Sequence, residues 1–171
     1  TGIRFMQTIP KNIKVCVFNE DDMDNEDLKN FIALTESQQA FMETFFDMCG
    51  NKKVPLQFLY DYMTSASKSK DSKEWKLMSE KGITNYSIVS TLKKRVLRLL
   101  RSGLFHNEQK DIPSKFQYLD LGKSIREREV ITSYSRYLIE DTTMQDICLY
   151  MLVKKYLSFL ETRQYYIPIT F

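Results

Sequence analysis

From Thr35 to Leu160 the apolar positions return mostly every three or four residues, the repeat of one face of an α-helix. Phe41, Phe45 and Met48 keep that spacing, with Met42 and Phe46 beside them. Thr35 with Gln38 makes a capping-box pair ahead of them, so the pattern predicts a helix over about 36–48. Cys49-Gly50-Asn51 ends it, glycine supplying the left-handed cap. Lys52-Lys53-Val54 is a link, and Pro55 opens a second helix with Leu56, Leu59, Tyr60 and Met63 as its buried stripe. Thr64 to Lys73 (TSASKSKDSK) loses the pattern and reads as an exposed surface insertion, after which Trp75, Leu77 and Met78 anchor a short helix. The most regular stripe is Ile88, Leu92, Val96 and Leu99, on a helix from about Asn85 to Ser102 with Thr84 as its N-cap and Gly103 as its stop.

Two more helices are expected over Lys123–Leu138 and Thr143–Leu160, the second carrying Ile147, Met151 and Leu152, then Tyr156, Phe159 and Leu160, with Thr142 or Thr143 as cap. Short β-branched or aromatic runs break the helical pitch. Ile13–Phe18 reads as a strand, and Leu104-Phe105 with Phe116–Leu119 read as a small β-hairpin. The tail Gln164–Phe171 suits an edge strand, Pro168 being tolerable only there, and would pair with Ile13–Phe18 or with the hairpin. The expected class is therefore mainly α with a small β-hairpin (α+β). Residues 1–33 form an N-terminal strand and acidic segment, 34–121 a central module, and 122–171 a C-terminal extension.

Composition changes little in this picture. A 171-residue chain that is 43% hydrophobic, with 11 Phe and 10 Tyr, can fill one core, and 5 Gly and 4 Pro exclude a loop-rich protein. A chain that begins at Thr1 rather than Met reads as a fragment of a longer protein. Three widely spaced cysteines, Cys16, Cys49 and Cys148, in apolar surroundings read as buried thiols of a reducing compartment. With one histidine and no CxxC pair, no metal site or cofactor is expected. No apolar run reaches the length of a membrane span, and no signal-peptide pattern is present.

Charge is more telling in its layout than in its net value of +3. Residues 20–27 (EDDMDNED) are acidic, but glycine and glutamate are misplaced for a calcium loop, so a solvated acidic loop, or a patch that docks a basic partner, is expected. Residues 93–101 are basic. Lys94, Arg98 and Arg101 fall at i, i+4 and i+7, a stripe opposite the apolar face that can track phosphates, with Lys93 beside it. The N-terminal half of the same helix offers Asn85, Ser87 and Ser90, groups able to meet base edges. The following turn adds Lys110 and Lys115 as backbone contacts, against Glu108 and Asp111, which repel phosphate. The cations also sit where the helix dipole favours them without a ligand. His106 has no companion nucleophile or acid in any motif, and no phosphate loop, nucleophile elbow or zinc-protease motif occurs, so no enzyme is expected.

LTESQQAFMETFF, KKVPLQFLYDYM and STLKKRVLRLLRSGLF together resemble the winged-helix superfamily over about residues 34–121. The nearest likenesses are the C-terminal winged helices of origin-recognition ATPases and of the telomere-capping and replication-protein-A small subunits, with the chromatin-binding region of meiotic HORMA-domain proteins another. The resemblance implies a winged helix-turn-helix with appended C-terminal helices, or a second, degenerate winged helix after the first. It also implies a nuclear, chromatin- or telomere-associated module. In such a module the basic helix binds double-stranded DNA or chromatin. The alternative is a protein-interaction or homodimerisation module within a nuclear complex, with no direct DNA contact.

Overall fold

A computed structural model of the chain describes residues 15–107, 116–127 and 141–162. Strand β1 (Val15–Asn19) leads through a 3-10 turn (Glu20–Asp22) into helices α1 (Asn25–Ile32), α2 (Glu36–Met48), α3 (Leu56–Ala66), α4 (Lys73–Glu80) and α5 (Ser87–Ser102). Strands β2 (Phe105–His106) and β3 (Phe116–Tyr118), helix α6 (Leu121–Arg126) and the long helix α7 (Thr142–Thr162) follow. The fold is mainly helical with a small sheet, the α+β class expected. The tail 164–171, residues 128–138 of the expected Lys123–Leu138 helix, Lys110 and Lys115 lie outside the described residues.

Local chemistry sets most boundaries. Thr35 Oγ1 accepts from the Gln38 amide at 3.4 Å and starts α2. The capping box is only half formed, because Gln38 Oε1 instead accepts the Leu34 amide at 2.9 Å. Gly50 (φ 68°) and Gly103 (φ 71°) take the left-handed conformation that ends α2 and α5, where a Cβ would cost energy. Pro55 precedes α3 and offers no side-chain cap; the Leu56 amide is held instead by the buried Glu20 carboxylate at 2.6 Å. At the start of α7 the cap is Asp141 rather than Thr142 or Thr143, its Oδ1 accepting from the Thr143 and Met144 amides at 3.0 and 3.3 Å.

Among the described residues the two strands of the expected β-hairpin do not pair with each other. β1 lies between the two short strands, parallel to both, in the order β2-β1-β3. Phe18 pairs with Phe105 and Asn19 with His106 on one edge, and Val15, Cys16 and Val17 pair with Phe116, Gln117 and Tyr118 on the other. Alternation along β1 buries Val15 and Val17 and turns Cys16 outward, so the expectation of three buried thiols fails at Cys16. Cys49 and Cys148 are half-buried, and burial pushes both thiols up.

The acidic run is also not a loop. Asn19 and Asp24 each close a capping box, with Asp22 and Asp27 as the third-position partners, so its carboxylates serve as helix starts. A single core joins Phe18, Leu28 and Ile32 to Phe41, Phe45, Leu59 and Met63, and these to Leu92, Leu99, Ile147 and Met151. Within it α3 packs along α5, which leaves the opposite side of α5 facing outward.

Candidate nucleic-acid interface

Helix α5 buries Ile88, Leu92, Val96 and Leu99, the stripe read from the sequence, with Val89 and Ser102. Its start differs by two residues. Asn85 Oδ1 accepts from the Ser87 amide at 3.1 Å, doing the work expected of Thr84. The same oxygen accepts from Ser87 Oγ at 2.7 Å, and Ser90 Oγ donates to the Ser87 carbonyl at 2.9 Å. The polar groups expected to meet base edges are exposed but turned onto their own helix start.

The five cations of α5 separate into distinct environments. Arg95 lies three residues after Leu92 and four before Leu99, at the margin of the buried face. Its Nη1 donates to the Ile32 carbonyl and to Gln38 Oε1, each at 2.6 Å, and so ties α5 to the end of α1 and the start of α2. Lys93 leans the other way, towards α3, with its ammonium 6.0 Å from the centre of the Tyr60 ring. Arg98 is exposed but ion-paired through Nε to Oδ2 of Asp141, the residue whose other oxygen caps α7. Lys94 and Arg101 are exposed, and neither has an acidic partner among the described residues. The i, i+4, i+7 stripe is therefore present, but its central member is occupied from within the chain. His106 closes the strand that follows, its Nε2 3.1 Å from the Gly103 carbonyl oxygen and its own carbonyl accepting the Tyr118 hydroxyl at 3.2 Å.

Sequence reasoning missed Asp141 and Gln38, which engage two of these arginines from 43 and 57 residues away. Position on the helical wheel was the signal available for Arg95; nothing local marked Asp141.

The acidic segment meets its own basic partner inside the chain. Lys154 of α7 pairs with Asp24 at 2.8 Å and with the buried Asp27, Lys155 pairs with Asp22 at 2.6 Å, and Lys53 pairs with Asp21 at 3.1 Å. Tyr150 donates to Asp27 Oδ1 at 2.7 Å and meets Phe31 edge-on at 5.4 Å. Burial pushes the Asp24 carboxyl up, but the Lys154 ammonium and the Asp27 amide outweigh it and leave the carboxyl below its ordinary value. Burial likewise opposes charge on Lys154, and Asp24 and Asp27 overcome it to raise the ammonium. The hydrogen bond to Asp27, helped by burial, raises the Tyr150 hydroxyl. A cleft of about 460 Å³ between α1 and α2 holds Lys29, paired with Glu26 at 2.9 Å and Glu43 at 3.0 Å, and with Asp24, Asp47 and Lys53 also in its lining it carries more acid than base.

Among the described residues no group of three or more His, Cys, Asp or Glu side chains is placed to hold a metal ion, and no helix is long and apolar enough to cross a membrane. Comparison with family models, with curated proteins and with solved structures finds no match for the chain, and the site is read from its own geometry.

Proposed function

We propose that this chain is a non-catalytic module of a larger nuclear protein that binds the phosphate backbone of double-stranded DNA or chromatin through the outer face of α5. In this reading α2, α3 and α5 are the three-helix part of a winged-helix-type unit, and the strands after α5 join a sheet in place of a free wing. One observation carries it. Among the described residues Lys94 and Arg101 stand exposed on one face of a single helix with no acidic partner, whereas Lys29, Lys53, Lys76, Lys123, Lys154 and Lys155 are each ion-paired and the other exposed unpaired lysines, Lys52, Lys68, Lys70, Lys73 and Lys81, are spread over turns and other elements. Exposed cations of that kind neutralise phosphates and so release the counterions condensed on a duplex. The test is fluorescence anisotropy with a labelled 20-base-pair duplex (length chosen as roughly two turns of B-DNA) at low and physiological salt. Binding that weakens steeply with salt, and falls at least about tenfold in Lys94→Glu/Arg101→Glu with a salt slope lower by about two, is expected. Absence of binding at low salt overturns the proposal.

A second reading rests on α7. Leu149 (57% exposed), Val153 (48%) and Leu157 (53%) line one side of that helix, with Tyr150 beside them. An apolar ridge of this kind suits a protein partner or a second copy of the chain. Concentration-dependent light scattering that reverts to a monomer in Val153→Glu supports self-association; a monomer at high concentration removes it.

A further inference from the structure

The polar turn between α3 and α4 folds against the start of α5. Lys93 Nζ donates to Ser67 Oγ at 3.3 Å, and Lys70 Nζ stands 5.9 Å from the centre of the Tyr86 ring, one residue before α5 begins. The turn is tied down by its own side chains. Ser67 Oγ donates to the Thr64 carbonyl at 3.0 Å, Ser69 Oγ accepts the Asp71 amide at 3.0 Å, and Ser72 Oγ donates to the Ala66 carbonyl at 3.2 Å. Ser72 also caps α4, whose Trp75 meets Tyr86 edge-on at 4.9 Å. The ammonium of Lys70 is therefore carried on a fixed support rather than a loose loop.

Lys70 itself has no ion-pair partner among the described residues. The turn's own acid, Asp71, is paired with Lys76 at 3.4 Å. The other acids on the neighbouring elements, Asp61 of α3 and Glu74 and Glu80 of α4, have no ion-pair partner among the described residues. Asp61 accepts from Gln57 at 2.9 Å, and the Glu74 backbone takes the Tyr62 hydroxyl at 3.0 Å. Lys70, Lys93 and Lys94 have no carboxylate partner among the described residues, which leaves three unpaired ammoniums beside the seam between the turn and α5.

We infer that Lys70 and Lys93 form a second phosphate-contact line, on the α3–α4 turn and the adjoining flank of α5, for the same duplex that Lys94 and Arg101 engage. The inference rests on the reading of α5 given above. From Tyr86 to Arg101 is 15 residues, about 22 Å along the helix. Phosphates follow each other about every 3.4 Å along each strand of the duplex axis, so the two ends of the surface meet different phosphates and their contributions add. Lysines already resting on tyrosine faces lose less side-chain freedom on binding than free ones. They also cover ring faces that would otherwise stack bases, which favours the intact duplex over single strands and gives no sequence preference.

The test repeats the anisotropy measurement on the full chain with Lys70→Glu and Lys70→Arg, beside Lys94→Glu/Arg101→Glu, on the duplex and its single strand, with melting curves to show that each variant is folded. Lys70→Glu is expected to weaken duplex binding about threefold to tenfold and to lower the salt slope by about one, while Lys70→Arg keeps both. Lys70→Glu binding like the unaltered chain while the α5 double variant fails overturns the second line and leaves the α5 reading standing. Loss in Lys70→Glu with none in the double variant places the contact on the turn and overturns the α5 reading. Tighter binding to the single strand, or no binding by the unaltered chain, overturns the inference itself.

Discussion

Arg95 follows two exposed-face candidates in the run Lys93-Lys94-Arg95, yet its role is to hold helices together. One nitrogen serves both the Ile32 carbonyl at the end of α1 and Gln38 Oε1 near the start of α2. Arg95→Ala takes a donor from the helix-end Ile32 carbonyl and leaves Gln38 Oε1 with the Leu34 amide alone, at a cost of about 1–3 kcal/mol. The expected result is a lower urea midpoint with DNA affinity changed less than twofold; a loss of affinity without a loss of stability would return Arg95 to the binding face. The contrast with Lys94 shows where a sequence stops being readable at this scale. Residue spacing placed the apolar stripe of α5 correctly, because burial follows helical pitch directly. It could not tell a solvated cation from one that reaches across to another helix, because a long side chain at the border of the stripe can go either way. The Thr35 cap and the Gly50 and Gly103 stops were legible for the opposite reason, each being decided by atoms within a few residues.

Helix α7 shows the same limit between elements. Its position from about residue 143 was readable, but its electrostatic partners were not: Lys154 meets Asp24 and Asp27 across 130 and 127 residues. What reads as a solvated acidic loop is the receptor for α7, and two variants probe that docking. Lys154→Met strands the buried Asp27 carboxylate, a loss of about 2 kcal/mol once the partial exposure of the lysine is allowed for. Asp24 titrates below its ordinary 3.8 and Lys154 above its ordinary 10.5 in the folded chain. The carboxylate's share is therefore present above pH 3.8 and lost as pH falls through the lowered value. The ammonium's share is present below pH 10.5 and lost as pH rises through the raised one. The stability gap between the unaltered chain and Lys154→Met, followed by urea unfolding, should be flat between these limits and shrink outside them; a gap that varies around neutrality would place the coupling elsewhere. At the other end of α7, Asp141 divides its two oxygens between the helix start and Arg98. Asp141→Ala removes the cap, at about 0.5–2 kcal/mol, and frees Arg98 to join Lys94 and Arg101. Melting temperature should fall while duplex affinity rises, and a fall in both would mean that α7 must be docked for binding.

For the molecule as a whole, the sheet decides whether the chain is one body. The short runs Leu104-Phe105 and Phe116–Leu119 suggested a hairpin, because neighbouring strands joined by a short link usually pair with each other. Both pair instead with β1, some ninety to a hundred residues earlier, and no local pattern announces a parallel partner at that range. The consequence is that β1 is structurally central although it comes early in the chain. Phe18 packs with Phe105 at 6.0 Å, its amide donates to the Leu104 carbonyl at 2.8 Å, and the Leu119 amide donates to the Val17 carbonyl at 2.9 Å. Through Leu104 and Gly103 this sheet sets where the end of α5, and so Arg101, points. Val17 is fully buried, and Val17→Asp places a carboxylate there with nothing to pair with it. A loss above about 4 kcal/mol is expected, enough to abolish a cooperative urea transition in a domain of ordinary stability. Cys16→Ser, one residue away on the exposed side of the same strand, should change stability by less than about 0.5 kcal/mol. If Val17→Asp instead unfolds cooperatively near the unaltered midpoint, β1 is an accessory strand and the helices alone carry the fold. In that case the duplex affinity of Val17→Asp should also survive, since the orientation of α5 would not depend on the sheet.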